Sequence, residues 1–145
     1  MTEAADGHVW SVVVPHHARG ARMARQRLAA ELTDLVPGGM LADAVAVVAE
    51  LLGNAVRHAD PLPGGVIRLA WRLGQTKTGA YLELRVTDGG AAARRPALRA
   101  LEDDSTDGRG LAIVSALSKR WGVERDNEGQ CVWAELGAGA SQDSK

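Results

Sequence analysis

The chain has 145 residues, 46% hydrophobic and 24% charged, the balance of one globular domain and not of a disordered or fibrous chain. Its formal net charge of −1 excludes a general nucleic-acid binder, because neutralising phosphates takes a marked basic excess. The single cysteine, Cys131, forms no internal disulfide and belongs to no Cys/His spacing that holds zinc.

Residues 9–14 (Val-Trp-Ser-Val-Val-Val) predict a strand that stops at Pro15, since proline removes a backbone donor. His16 and His17 follow as exposed helix-entry residues; adjacent on a helix they diverge by ~100° and share no metal. Ala21, Ala24, Leu28, Leu32 and Leu35 step by three or four, which predicts an amphipathic helix ending near Pro37-Gly38-Gly39. A second helix is expected over 41–58, with Leu41, Val45, Val48, Leu52 and Val56 as its apolar stripe. Pro61, Pro63, Gly64 and Gly65 close it off.

Ile67, Leu69, Trp71 and Leu73, then Leu82, Leu84 and Val86, alternate with polar or small residues and predict a long antiparallel hairpin with one buried face. The stretch after Asp88 up to Asp107 is polar and rich in small residues, with Arg94, Arg95 and a turn of helix expected at 97–101. A third helix over 110–120 presents Leu111, Val114 and Leu117, and strands near 122–125 and 131–136 flank a turn at 127–129. With no Phe in the chain, Trp10, Trp71, Trp121 and Trp133 are expected in the core or at its rim.

These elements assemble into an α+β, two-layer sandwich: a mixed, mainly antiparallel sheet covered on one face by three helices. One domain over 8–137 is expected, with flexible tails at 1–7 and 138–145. No stretch reads as a signal peptide or approaches the ~20 apolar residues of a membrane span, so the expectation is a soluble, cytoplasmic protein.

Three segments carry candidate chemistry. Glu50 and Asn54 lie four apart and stack on one helix face, expected opposite the apolar stripe and beside Arg57 and His58. A carboxamide oxygen suits Mg²⁺, and a neighbouring carboxylate can accept a hydroxyl proton; the plainer alternative is a solvated polar pair, and for His58 a helix-end cap. Asp88, followed by Gly89 and Gly90, is either an ordinary Asp-Gly turn or a carboxylate that accepts from an exocyclic amine, with glycines letting a ligand approach the backbone. Gly108-Arg109-Gly110 opens the third helix, where free N–H groups and the dipole favour phosphate, though glycines before a helix are also common loop punctuation. It is not a Walker loop.

Together, Glu50-Leu-Leu-Gly-Asn54-Ala-Val-Arg-His58-Ala, Val86-Thr-Asp88-Gly-Gly90 and Gly108-Arg-Gly110-Leu111-Ala-Ile-Val114 resemble, in order and spacing, the three nucleotide-binding boxes of the GHKL ATPases. That resemblance covers roughly residues 10–136 and implies the Bergerat ATP-binding fold. It implies that Asn54 binds Mg²⁺, that Asp88 holds the adenine amine, and that Glu50 is the general base. It further implies that His58, Gly90 and Leu111 belong to the nucleotide-binding set and that Gly108, Arg109 and Gly110 contact the phosphates of ATP or ADP. Residues 91–107 correspond to the ATP lid.

The short chain is most similar to the anti-sigma serine/threonine kinases, which imply a sigma factor and an anti-anti-sigma (STAS-type) protein as partners, homodimerisation, and no direct contact with nucleic acid or membrane. Two departures stand out: Ala92 occupies a position where the family offers glycine, and no glycine-threonine box is evident near Glu128-Gly129-Gln130. A partner-switch module without kinase turnover is the alternative reading.

Overall fold

The computed structural model describes residues 8–77, 79–90 and 106–137. The turn of helix expected at 97–101, Arg94, Arg95, Ala92 and both tails lie outside the described residues. In chain order the elements are β1 (His8–Pro15), α1 (Ala18–Leu32), α2 (Gly38–His58), β2 (Val66–Thr76), β3 (Gly79–Asp88), α3 (Thr106–Leu117), β4 (Arg120–Arg125) and β5 (Gln130–Gly137).

The strands form one sheet in the order β1-β2-β3-β5-β4. All four pairings are antiparallel, where a mixed sheet is expected from sequence. The alternation in β2 and β3 holds: Ile67, Leu69, Trp71, Leu82, Leu84 and Val86 are buried under the helices. Each such side chain contributes about 1.5–3 kcal/mol by leaving water.

The other sheet face carries polar residues. There Arg85 reaches Glu83 at 3.3 Å and Glu124 at 2.6 Å, and Arg120 holds Glu135 at 2.8 Å. Trp10 stacks on Trp71 with ring centroids 6.0 Å apart, which places both tryptophans at the β1–β2 end of the core.

Two helix expectations change. The first helix stops at Leu32, where Thr33 caps onto Ala29 and a tight turn links Leu35 N–H to Leu32 O at 2.9 Å. That turn leaves Leu35 exposed and brings Val36 into the core instead.

The second helix starts at Gly38 and is rotated from its expected stripe. Met40, Ala44, Val47, Val48, Leu51, Leu52 and Ala55 are buried, whereas Leu41, Val45 and Val56 are half-buried. Contacts with the sheet, α1 and α3 together demand a broader apolar face than one stripe supplies. The rotation turns Asn54 inward to 5% exposure, away from the solvated side where the sequence places it.

At 21 residues, α2 is long and apolar enough by length and composition to cross a membrane, contrary to expectation. Its apolar face packs on the sheet, as in the core helix of a folded domain.

Candidate functional site

A short bridge joins the end of α2 to the end of β3. Asp88 is the last residue of β3 and points to the helix side, like Leu84 and Val86 before it. Its chain is joined directly to the segment leaving α2. Gly89 N–H donates to Asp60 O at 2.7 Å, and Asp60 N–H donates to Gly90 O at 2.9 Å. This short antiparallel bridge ties Asp88 to the chain leaving α2, with His58 two residues and Asn54 six residues before Asp60.

The bridge requires the two glycines. A Cβ on Gly89 would meet the backbone of Pro61 and Asp60, and Gly90 has φ of 75°, a left-handed conformation that favours glycine. Gly129 crosses the same backbone from the other side, where a Cβ would strike Asp88 O. A packing contact from the β4–β5 turn is thus present although the glycine-threonine pair is not. Gln130, opposite Asp88 in the β3–β5 ladder, is buried beside it.

Asp88 is 2% exposed, and its Oδ1 accepts the Gly90 N–H at 2.7 Å. Burial pushes the carboxyl up to about 6, Asp60 adds to the rise, and the Gly90 hydrogen bond and His16 oppose it. A carboxylate has acceptor capacity beyond that one bond, so it is suited to a donor arriving from a ligand.

Asn54 presents its Oδ1 to Arg57 Nη2 at 3.2 Å. Guanidinium groups only donate, which identifies the atom facing the cation as the amide oxygen. An amide oxygen already directed at a positive group fits the donor that Mg²⁺ needs. Glu50 lies one turn earlier on α2 and is half-buried, and His58 closes the helix, also half-buried.

The third helix starts at Thr106, four residues before its expected start. Thr and Asp favour helix openings, and packing of Leu111 and Val114 outweighs the roughly 1 kcal/mol that each helical glycine costs. Gly108, Arg109 and Gly110 therefore fall among the first five residues of α3, where the N–H groups of the opening turn, up to Gly108, lack intrahelical acceptors. Leu111 is 7% exposed and packs in the core, leaving its backbone as the part nearest any ligand.

His16 was missed by the sequence reading. It is half-buried, not an exposed helix-entry residue, and its Nε2 lies 3.0 Å from Ala55 O and 2.9 Å from Ala59 O. His17 is the exposed residue of the pair and caps α1 by accepting from Arg19 N–H at 3.0 Å. The periodicity of α1 begins after both histidines, so nothing in the pattern distinguished them.

A cleft of about 1110 Å³ lies toward the open face of the sheet and the 125–130 turn, around Arg68, Arg85, Thr87 and Cys131. Glu50, Asn54, His58 and Asp88 do not line it. Burial pushes the Cys131 thiol up, away from the reactive thiolate.

Comparison with curated proteins finds no match. Among solved structures, the fold is similar to the crystal structure of the RsbU and RsbW domains of Rv1364c from Mycobacterium tuberculosis, with a TM-score of 0.59 and 16% identity over 90% of this chain. The present chain spans 32% of that chain, and at this identity the likeness is one of fold. The family model of the histidine kinase-like ATPase domain matches residues 14–136, a span that contains Glu50, Asn54, Asp88 and the whole of α3. The chain belongs to the histidine kinase-like ATPase domain family.

Proposed function

We propose that the protein is an ATP-binding regulator of the anti-sigma type. In this role it phosphorylates an anti-anti-sigma (STAS-type) partner on serine or threonine, sequesters a sigma factor and works as a homodimer. The observation that carries the nucleotide part is the bridge of Asp60 to Gly89 and Gly90, which ties the strand end bearing the buried Asp88 carboxyl to the chain leaving α2, six residues after the buried Asn54. The similarity in fold to a structure that contains an RsbW domain supports the regulatory part.

Asp88 accepts a hydrogen bond from the exocyclic amine of adenine. Asn54 supplies its amide oxygen to Mg²⁺, and the free N–H groups at the start of α3, including those near Gly108 and Arg109, receive phosphate oxygens. When bound, the metal neutralises charge on the transferring phosphoryl group. Glu50 takes the proton from the partner's serine or threonine hydroxyl as its oxygen bonds to the γ-phosphorus and the bond to the β-phosphate oxygen breaks, releasing ADP.

A second reading, nucleotide binding without turnover, is favoured by Gln130-Cys131 following Gly129, where a glycine-threonine pair is expected. The variant Glu50→Ala separates the two when ATP affinity and phosphotransfer to a STAS-type substrate are measured side by side. Kinase function predicts affinity within about twofold of wild type and transfer lowered by about 10²- to 10⁴-fold. A wild-type protein that binds ATP and transfers no phosphate supports the second reading.

A further inference from the structure

The imidazole of His16 joins two parts of the chain 39 and 43 residues apart. Its backbone N–H donates to Gly65 O at 2.9 Å, which anchors the residue at the β1–α1 corner. Its Nε2 faces the carbonyl oxygens of Ala55 and Ala59 at 3.0 and 2.9 Å. Carbonyl oxygens only accept, so Nε2 carries the proton and is shared between them. Ala55 O otherwise receives the Ala59 N–H at a long 3.3 Å, and Ala59 is the C-cap of α2. The carbonyls at a helix carboxyl end lack intrahelical donors and carry the negative pole of the dipole, a setting that favours a donor and a positive charge.

Ala59 is followed at once by Asp60, the residue that bridges to Gly89 and Gly90. His16 therefore clamps the base of the bridge that places Asp88. We infer that His16 is a positioning residue of the nucleotide site, holding the carboxyl end of α2 so that the Asp60 bridge presents Asp88 to the base. The inference rests on the reading of Asp88 as the base-recognising carboxylate.

An electrostatic consequence accompanies the geometric one. Among the described residues, the charged groups that act on Asp88 are His16 from the β1–α1 corner, which favours the carboxylate, and Asp60 from the segment after α2, which opposes it. Removing His16 therefore raises the pH at which Asp88 ionises and carries the acid limb of ATP affinity upward with it. A residue that served packing alone would leave that limb in place.

The test is titration calorimetry of the full chain with ATP and Mg²⁺ from about pH 5 to about pH 8, a range that brackets the raised Asp88 carboxyl. The variants are His16→Ala, His16→Gln and Asp88→Asn. His16→Ala is expected to weaken ATP binding by about tenfold at neutral pH, the loss of one hydrogen bond's worth of alignment, and to move the acid midpoint to higher pH. His16→Gln keeps an N–H donor without the charge, so it is expected to recover most of the affinity near pH 8 while its midpoint stays raised. Wild-type affinity and an unmoved midpoint in both His16 variants, with Asp88→Asn impaired, would overturn this inference alone. A wild-type protein with no affinity for ATP would overturn it together with the reading of Asp88.

Discussion

Replacing Asp88 by asparagine is expected to weaken ATP binding by about 10- to 100-fold while making the nucleotide-free protein more stable at neutral pH. The first effect follows from exchanging a charged acceptor for a neutral one, with hydrogen bonds to charged groups worth about 1.5–3 kcal/mol. The second follows from linkage. The carboxyl is raised from 3.8 to about 6 in the folded protein, so the fold holds that proton more tightly than the unfolded chain does. Stability from this group is fully present below the unfolded value near 3.8 and is lost as pH rises through 6. At pH 7 the deficit is on the order of 3 kcal/mol. Asparagine keeps an oxygen for the Gly90 N–H and carries no charge to desolvate, which removes that deficit.

Thermal unfolding of the two apoproteins is expected to show the asparagine variant ahead near pH 7.5 and level with wild type near pH 4, following the linkage relation. An asparagine variant that loses stability at neutral pH and keeps wild-type ATP affinity would show that Asp88 serves the fold and not a ligand.

The substitution Gly89→Ala is expected to damage both fold and site. Its Cβ would meet the backbone oxygen of Pro61 and the backbone of Asp60, and neither is a side-chain end that can swing aside. Relief requires the chain after α2 to move off β3, which breaks the 2.7 Å bond from Gly89 N–H to Asp60 O. The expected loss is about 2–4 kcal/mol, a fall in Tm of roughly 10 °C for a domain of this size. Gly39→Ala is the matching control: it lies near the start of α2 with open space around it, and alanine there is expected to be neutral or to stabilise by about 0.5–1 kcal/mol. Equal melting temperatures for the two variants would contradict the close approach of these backbones.

Much of this architecture was legible because apolar residues recur at the period of each element. The alternation of Ile67 to Leu73 with Leu82 to Val86 identified the hairpin and its buried face, and both survive in the structure. The rotation of α2 was not legible. Its sequence is apolar nearly all round, from Met40 to Val56, so several stripes fit equally well and only packing against α1, α3 and the sheet selects one. That choice turned Asn54 from a solvated residue into a buried one.

The three segments that resemble the family's nucleotide-binding boxes were readable in the sequence, yet what joins the first two of them in space was not. The Asp60 bridge is made by backbone groups, and no side-chain pattern announces it. His16 escaped for a related reason, since its partners are carbonyl oxygens 39 and 43 residues away. The start of α3 was misplaced because glycines normally punctuate helices, whereas here Leu111 and Val114 are anchored firmly enough for the helix to run through Gly108 and Gly110.

In the proposed function, the end of α2, the end of β3 and the start of α3 form one Mg²⁺-dependent nucleotide site. Titration calorimetry of the wild-type chain with ATP, with and without Mg²⁺, alongside Asn54→Ala tests it most directly. Saturable ATP binding is expected, strengthened by Mg²⁺ in the wild type and without that enhancement in Asn54→Ala. No heat with millimolar ATP and Mg²⁺, or identical binding by wild type and Asn54→Ala, would contradict it.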